Sequence, residues 1–220
     1  MVEKIALKRG HTISAKIEVD TKPISLNEVD VAIDFSTPDA AFENIRTCFE
    51  QGIPVVSGTT GWLDRYPEAV QLCKASKTGF IYASNFSLGV NLFFAMNEHV
   101  AALMKDIDAY KVEIEEIHHT QKLDAPSGTA ISLAEGIIEN SDYKSWDALA
   151  GDKDQIPVHS KREGSVPGTH TISYSSEVDS IILRHEAHNR EGFALGAVVA
   201  AEWIIGKSGV FSMRDVLNLG

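Results

Sequence analysis

Only two cysteines occur in the 220-residue chain, Cys48 and Cys73, each inside a stretch with helical spacing. So few thiols exclude a disulfide framework and suit a reducing compartment, and neither residue has the company of a metal ligand. Long apolar runs are missing too: Phe193 to Ala201 is broken by Glu202 well short of the ~20 residues that span a bilayer. No transmembrane helix is expected. The start, Met1 to Arg9, interleaves charges with apolar residues where a secretory leader needs an unbroken apolar core, so a cytoplasmic protein is expected. Cations are outnumbered, 20 Lys and Arg against 31 Asp and Glu, and the net charge of -11 opposes non-specific attraction to nucleic acid or an anionic membrane. An anionic ligand must therefore be met by a local cluster, for which His118, His119, Lys122, Lys161, Arg162 and Arg190 are the candidates.

What is present alternates in the manner of parallel α/β units. A helix end over Val2 to Arg9 stops at Gly10, and a strand is predicted for Thr12 to Val19. Strands over Val29 to Phe35, Ile53 to Ser57 and Gly79 to Ala83 are separated by helices over Asp39 to Glu50 and about Asp64 to Lys77. After Asn85 the texture changes. A long helix over Val90 to Met104 precedes a strand over Tyr110 to Ile117, a helix over Gly128 to Glu139, and strand-like runs over Thr169 to Ser175 and Ser180 to His185. Helices over Ala194 to Ile205 and Phe211 to Asn218 close the chain. The fold class expected is α/β: a Rossmann-like parallel sheet with an inserted, mostly antiparallel α+β domain. Residues 1–87 and 193–220 are assigned to a dinucleotide-binding domain and 88–192 to a substrate and oligomerisation domain.

One fingerprint of such a fold is absent. A dinucleotide site opens with strand, Gly-x-Gly-x-x-Gly turn and helix, and a ribose-binding acid follows about 20 positions on. Glu18 is the natural acid, and counting back from it places the glycines before Met1. The chain is thus expected to begin inside the first helix and, as written, to bind nicotinamide cofactor poorly.

The densest chemistry lies between His118 and Thr129. Two imidazoles and the Lys122 ammonium stand just ahead of Pro126-Ser127-Gly128-Thr129, which opens a helix. The amides of Gly128 and Thr129 would face outward at that helix N-terminus and could hold a carboxylate. Successive strand residues point to opposite faces, so His118 and His119 share a pocket only where the backbone leaves the strand. Gly58-Thr59-Thr60-Gly61 closes a strand at the edge where α/β sheets bind ligands, and Arg190 can fork onto a carboxylate, although each alone also reads as a plain turn or surface side chain. His185-Glu186-Ala187-His188 lacks the spacing of a zinc helix, and Gly206-Lys207-Ser208 lacks the earlier glycine of a phosphate loop. No metal is expected.

Taken together, Asp34-Phe35-Ser36, Gly58 to Gly61, Ala83 to Ser87, His118 to Ala130 and His185 to Arg190 resemble the dihydrodipicolinate (4-hydroxy-tetrahydrodipicolinate) reductase family of lysine and diaminopimelate synthesis. The resemblance implies reduction of a small cyclic dicarboxylate by NADH or NADPH, in a homotetramer assembled through the sheets of the substrate domain. It places catalysis on His118 and Lys122, and substrate binding on His119, Gly128, Thr129 and Arg190. Cofactor contacts would fall to Glu18, Ser36, Gly58, Thr59, Thr60, Ala83, Asn85 and Phe86. The outward faces of Tyr110 to Ile117 and Thr169 to Ser175 would be an apolar interface. Glu18 followed by Val19 favours NADH. Two other readings stand beside this one. The first is a homologue that keeps the dicarboxylate pocket without binding cofactor. The second is a homoserine- or aspartate-semialdehyde-type oxidoreductase, which the segment from residue 118 to 129 does not support.

Overall fold

The computed structural model describes residues 1–18, 26, 28–148 and 152–219. In chain order the elements are α1 (Val2–Lys8), β1 (Ala32–Asp34), α2 (Pro38–Glu50), β2 (Val55–Ser57), α3 (Tyr66–Ser76), β3 (Gly79–Tyr82), α4 (Leu88–Met104), β4 (Lys111–His118) and α5 (Gly128–Glu139). There follow β5 (Ser145–Asp147), β6 (Gln155–Arg162), β7 (Thr169–Ser175), β8 (Ser180–Glu186), α6 (Glu191–Ile204), β9 (Gly209–Phe211) and α7 (Met213–Leu217). The chain divides into two compact units, Met1–Asn91 with Glu191–Gly220, and Leu92–Arg190.

In the first unit β1, β2, β3 and β9 form a parallel sheet in that order. Its strands are short and apolar on both sides, as a sheet covered on both faces requires. Val55 and Phe80 point to one face, where Phe42, Ile45 and Phe49 of α2 and Cys73 of α3 meet them. Their neighbours Val56 and Ile81 point to the other, where α6 supplies Ala197, Ala200, Ala201 and Ile204. The small residues of α6 let the helix approach closely. A Cβ added to Gly196 would stand 1.7 Å from the Phe86 carbonyl oxygen.

Two expectations fail here. Residues 12–18 form no strand, and Val19 lies outside the described residues. β-branched side chains favour extended backbone, but a strand needs a partner for its amides and carbonyls. Among the described residues β1 pairs only with β2, so residues 12–18 find no ladder. Ala15 instead packs on the α2–α3 core and Lys16 pairs with Glu3 at 3.5 Å. The expected helix from Phe211 begins later, because Gly209–Phe211 joins the sheet as β9 beside β3 and Ser212 then caps α7.

The second unit carries a five-stranded sheet in the order β5-β6-β4-β7-β8. It is mixed: β5–β6 and β6–β4 are parallel, β4–β7 and β7–β8 antiparallel. The mostly antiparallel sheet expected is corrected by β5 and β6, which had not been anticipated. Only Ile156 and Val158 of β6 mark an inward face, and Pro157 between them argues against a central strand. One face of the sheet packs Ile114, Ile156, Val158, Ile172 and Tyr174 against Phe93 and Ala101 of α4 and Leu133, Ala134 and Ile137 of α5. The other face mixes charge with apolar side chains, where an apolar interface was expected: Glu113 lies 3.7 Å from His159 and Glu115 2.5 Å from Lys161, with Thr171, Ser173 and Arg184 on the same side together with Ile117 and the exposed Ile182. Hydrophobic alternation fixes which face is inward but leaves the outward face free to be charged.

Gly196→Ala should be strongly destabilising, on the order of 3 kcal/mol, because overpacking against fixed backbone outweighs the ~1 kcal/mol that alanine gains in a helix. In Gly192→Ala the added Cβ would lie 3.6 Å from Ser87 Oγ, an ordinary contact, and little loss is expected. Urea unfolding of the two variants makes the comparison.

Candidate functional site

Strand alternation brings polar side chains inward at one end of the second sheet. Along β4 the inward positions run Val112, Ile114, Glu116, His118, so the last two place a carboxylate and an imidazole where the core should continue. The register sets Glu116 between Ser160 of β6 and His170 of β7, and His118 beside Arg162. β4 ends at His118, whose carbonyl accepts the Glu163 N–H at 2.8 Å, and Thr120 N–H donates to Gly164 O at 3.2 Å. The chain thus leaves the strand right after His118, and the half-buried His119 is freed from the opposite face. A turn closed by Lys122 N–H on His119 O at 3.1 Å carries the lysine back.

Glu116 is completely buried and is the hub of the cluster. The Ser127 N–H donates to both of its oxygens at 3.1 Å, and Arg162 Nη2 donates to Oε1 at 3.2 Å. Oε2 lies 3.3 Å from His118 Nδ1, in ion-pair range, though Nδ1 is not aligned as for a full hydrogen bond. Burial by itself would push the Glu116 carboxyl up; His118 and the Ser127 and Ser160 donors overcome it and hold the group well below the usual carboxylate range. Arg162 does more than neutralise this charge. Its guanidinium also donates to Lys122 O at 3.4 Å and to Asp124 O at 2.6 Å, pinning the loop that carries the lysine.

The two inward imidazoles lie with ring centroids 5.1 Å apart, edge to face. His170 is pushed down to about 4, first by burial and then by His118. Its Nε2 sits 3.8 Å from Glu116 Oε2, a distance at which an imidazolium would pair, yet desolvation wins and the ring stays neutral, 3.3 Å from Ser127 Oγ. Glu116, His118 and His170 offer atoms within 4.8 Å of one another, close enough to suit a metal ion. The Arg162 guanidinium already occupies that carboxylate, so the arrangement handles protons better than a second cation.

α5 begins at the same place. Ser127 caps it, accepting the Ala130 N–H at 3.2 Å, which leaves the Gly128 and Thr129 amides without an acceptor among the described residues. The Gly128 Cα faces open space. Lys122 Nζ is held by both oxygens of Asp124 at 2.9 and 2.8 Å, and Asp124 is exposed, so an incoming carboxylate can displace it. His118, the Gly128 and Thr129 end of α5 and, through Arg162, the Lys122 loop are thus tied to the Glu116 carboxylate, whereas no hydrogen bond or ion pair joins the His119 side chain to them among the described residues. Arg190 is exposed at the end of the second unit and makes no hydrogen bond or ion pair with this cluster among the described residues. Lys161 points to the other face of the sheet.

In the first unit the expected cofactor residues lie at the carboxyl edge of the parallel sheet. The buried Asp34 accepts hydrogen bonds from the hydroxyls of Ser36 (2.7 Å), Ser57 (2.9 Å) and Thr59 (2.8 Å). The Thr59 hydroxyl, expected to be free for a ligand, is spent on Asp34 and on the Ser36 N–H, whereas Thr60 is exposed. Gly58 lies under the half-exposed Phe35 ring, which a Cβ there would strike at 2.1 Å. Ala83 N–H bonds Ser57 O, Asn85 Oδ1 turns onto Ser87 N–H, and the Phe86 side chain is buried in the α6 core, so only its backbone is at the edge. Glu18 is exposed and ends no strand, against expectation; Lys16 lies 3.6 Å away. Sequence reasoning missed Glu116, His170 and Asp34. A polar residue at an inward strand position was the available signal for the first two.

Two family models cover the chain: dihydrodipicolinate reductase, N-terminus, over residues 3–86, and dihydrodipicolinate reductase, C-terminus, over residues 89–217. A 4-hydroxy-tetrahydrodipicolinate reductase of Christiangramia forsetii is 56% identical over 99% of this chain and 92% of its own length. One from Neisseria meningitidis is 36% identical over 98% of this chain and 80% of its own. Among solved structures, a dipicolinate-bound dihydrodipicolinate reductase from Paenisporosarcina sp. TG-14 superimposes with a TM-score of 0.70 at 30% identity, covering 84% of this chain and 72% of that one.

The buried His170 makes stability depend on pH. An unfolded histidine titrates near 6.5, whereas this one stays neutral down to about 4. Between those values the unfolded chain binds the extra proton, so stability is complete above pH 6.5 and falls as pH drops toward 4, by about 3 kcal/mol. Glu116, whose folded value is depressed, adds a loss of the same sign below the ordinary carboxylate range. Urea unfolding of His170→Gln at stepped pH should lose the larger part of the slope between pH 6.5 and 4.

Proposed function

The chain belongs to the dihydrodipicolinate reductase family, and from that premise we infer that it reduces 4-hydroxy-tetrahydrodipicolinate to tetrahydrodipicolinate, in the diaminopimelate route to lysine. It is a pyridine-nucleotide oxidoreductase acting on a small cyclic dicarboxylate. Its cofactor supplies the hydride, and water is lost from the substrate. What supports the residue assignments is the common tether at Glu116: His118 Nδ1 lies 3.3 Å from it, the Ser127 N–H just ahead of the uncapped α5 amides donates to it, and Arg162 links it to the carbonyls of Lys122 and Asp124.

The first unit supplies the nucleotide side. Ser36, Gly58 to Thr60, Ala83, Asn85 and the Phe86 backbone are at the carboxyl edge of a parallel sheet, where such folds hold their ligands. The exposed Phe35 face beside Gly58 suits a flat ring. Glu18 is the ribose partner in this reading and favours NADH over NADPH.

In the second unit, one substrate carboxylate takes the Gly128 and Thr129 amides, aided by the helix N-terminus. His119 and Arg190 serve as further anion donors. Lys122 exchanges Asp124 for the substrate, so its charge is released at the moment of binding. Negative charge that develops on the ring as hydride arrives is neutralised by the Lys122 ammonium and by a proton from His118, in a pocket where burial strengthens both effects. The reading places the enzyme in the cytoplasm; no described helix is long and apolar enough to cross a membrane. It also includes a homotetramer through the open face of the second sheet, where the charged pairs Glu113–His159 and Glu115–Lys161 accompany the exposed Ile182.

Steady-state assay with the cyclic substrate and each nucleotide tests this. Because weak cofactor binding is expected of the chain as written, the nucleotides are compared at high concentration; NADH should be used at least as well as NADPH, and a strong NADPH preference overturns the role of Glu18. His118→Gln and Lys122→Ala should each lower kcat about 100-fold with a smaller effect on substrate binding. Unchanged turnover in both variants dismisses their catalytic assignment.

A further inference from the structure

We propose that Glu116 is the positioning residue of the active site: one buried carboxylate sets the tautomer and orientation of His118, the placement of the α5 amides, and, through Arg162, the loop that bears Lys122. The inference rests on the reading above, which makes those three parts the machinery of the reaction, and adds what holds them together.

The geometry supplies each link. Oε2 is 3.3 Å from His118 Nδ1 and both oxygens accept the Ser127 N–H at 3.1 Å. Ser127 is the residue just before Gly128 and Thr129, so the carboxylate fixes where the uncapped amides begin. Oε1 takes Arg162 Nη2 at 3.2 Å, and the same guanidinium donates to the carbonyls of Lys122 and Asp124 on either side of Leu123. A negative oxygen facing Nδ1 keeps a proton on that nitrogen, so the exchangeable proton of His118 is the one on Nε2. In the donation step the Nε2–H bond breaks, a bond from hydrogen to the substrate forms, and the electron pair stays on Nε2. The ring is left neutral with its remaining proton on Nδ1, beside Glu116. Clearance for Nε2 comes from Gly168, where a Cβ would press on that atom at 3.0 Å.

The competing explanation is that Glu116 merely neutralises Arg162 in a structural ion pair. Its side chain is fully buried and that of Arg162 is 20% exposed, so such a role would show in stability alone. The neighbouring ionisable groups are His118, His170, Arg162 and Lys122, and none of the last three touches Nδ1 in the arrangement seen.

Two measurements decide. Glu116→Gln keeps the volume and one acceptor oxygen but removes the charge. Its kcat per folded active site should fall by about tenfold or more, the range in which orienting partners of a histidine act, while KM changes by less than about threefold. Retention of kcat within twofold, or a loss confined to KM, overturns the proposal. Because the parent chain is assayed in parallel, absence of reductase activity in the parent would instead strike at the functional reading. Independently of any variant, nitrogen-15 NMR of the parent should show the neutral His118 ring protonated on Nδ1. A ring protonated on Nε2 overturns the proposal even if the Gln variant fails to fold.

Discussion

A carboxylate with no solvent exposure is expensive to bury unless donors surround it, and Glu116 is surrounded from every direction the sheet allows. Its neighbours across the ladder are Ser160 and His170, its own strand contributes His118 two residues on, and Ser127 and Arg162 complete the set. These groups come from four segments: His118 from β4, Ser160 and Arg162 from β6, His170 from β7 and Ser127 from the start of α5. The need to satisfy this one charge therefore dictates how the end of the sheet closes. Removing any single donor leaves the others attached to a buried anion that is less well compensated, which explains how a small shift at one segment reaches the rest.

The same demand separates the two inward imidazoles. His118 stands against the negative oxygen, while His170 lies deeper and is pushed down to about 4, first by burial and then by His118. Two histidines at a 5.1 Å ring separation would repel if both were charged. Keeping one of them neutral removes that conflict. Cations elsewhere in the chain do not compete for this role. Lys161, adjacent in sequence to Arg162, points to the other face of the sheet and is tied to Glu115. In a chain with a net charge of -11, the two faces of this sheet thus take different cations, Arg162 against Glu116 and Lys161 against Glu115.

Much of this was legible in the sequence because the signals were periodic or local. The helix over Gly128 to Glu139 and the strand over Thr169 to Ser175 occur where alternation and capping place them. The turn at Pro126 to Thr129 was legible as a helix start, and Ser127 caps α5 there. What escaped depended on partners distant in the chain. The extended appearance of Thr12 to Val19 was real in composition, but strand formation is decided by a neighbour that composition does not reveal, and residues 12–18 have none among the described residues. β6 was hidden by Pro157 and by a polar second half that turns out to hold Ser160 and Arg162 against Glu116. Glu116 itself read as one acid among several on a strand. Only the inward parity it shares with Val112 and Ile114 distinguishes it from Glu113 and Glu115, whose side chains are on the opposite face.

Asp34 in the first unit shows that the Glu116 arrangement is one of two solutions to the same problem. Both acids sit at or near the carboxyl end of a strand, and both join loops that follow neighbouring strands. Asp34 is held by hydroxyls of Ser36, Ser57 and Thr59 and by the Asn44 amide at 3.3 Å, all neutral donors. Glu116 takes a guanidinium and an imidazole in addition to a backbone amide. The difference follows from what each loop must do. Around Asp34 the donors have only to fix the turn at Gly58 and Thr59, for which short, directional hydroxyl bonds suffice and no mobile cation is required. Around Glu116 the Arg162 guanidinium adds the attraction of a second full charge to its hydrogen bond, which a neutral hydroxyl does not, and it carries that hold on to the carbonyls of Lys122 and Asp124. The carboxylate there serves as a template that holds the His118 ring, the start of α5 and the Lys122 loop in fixed relation to one another.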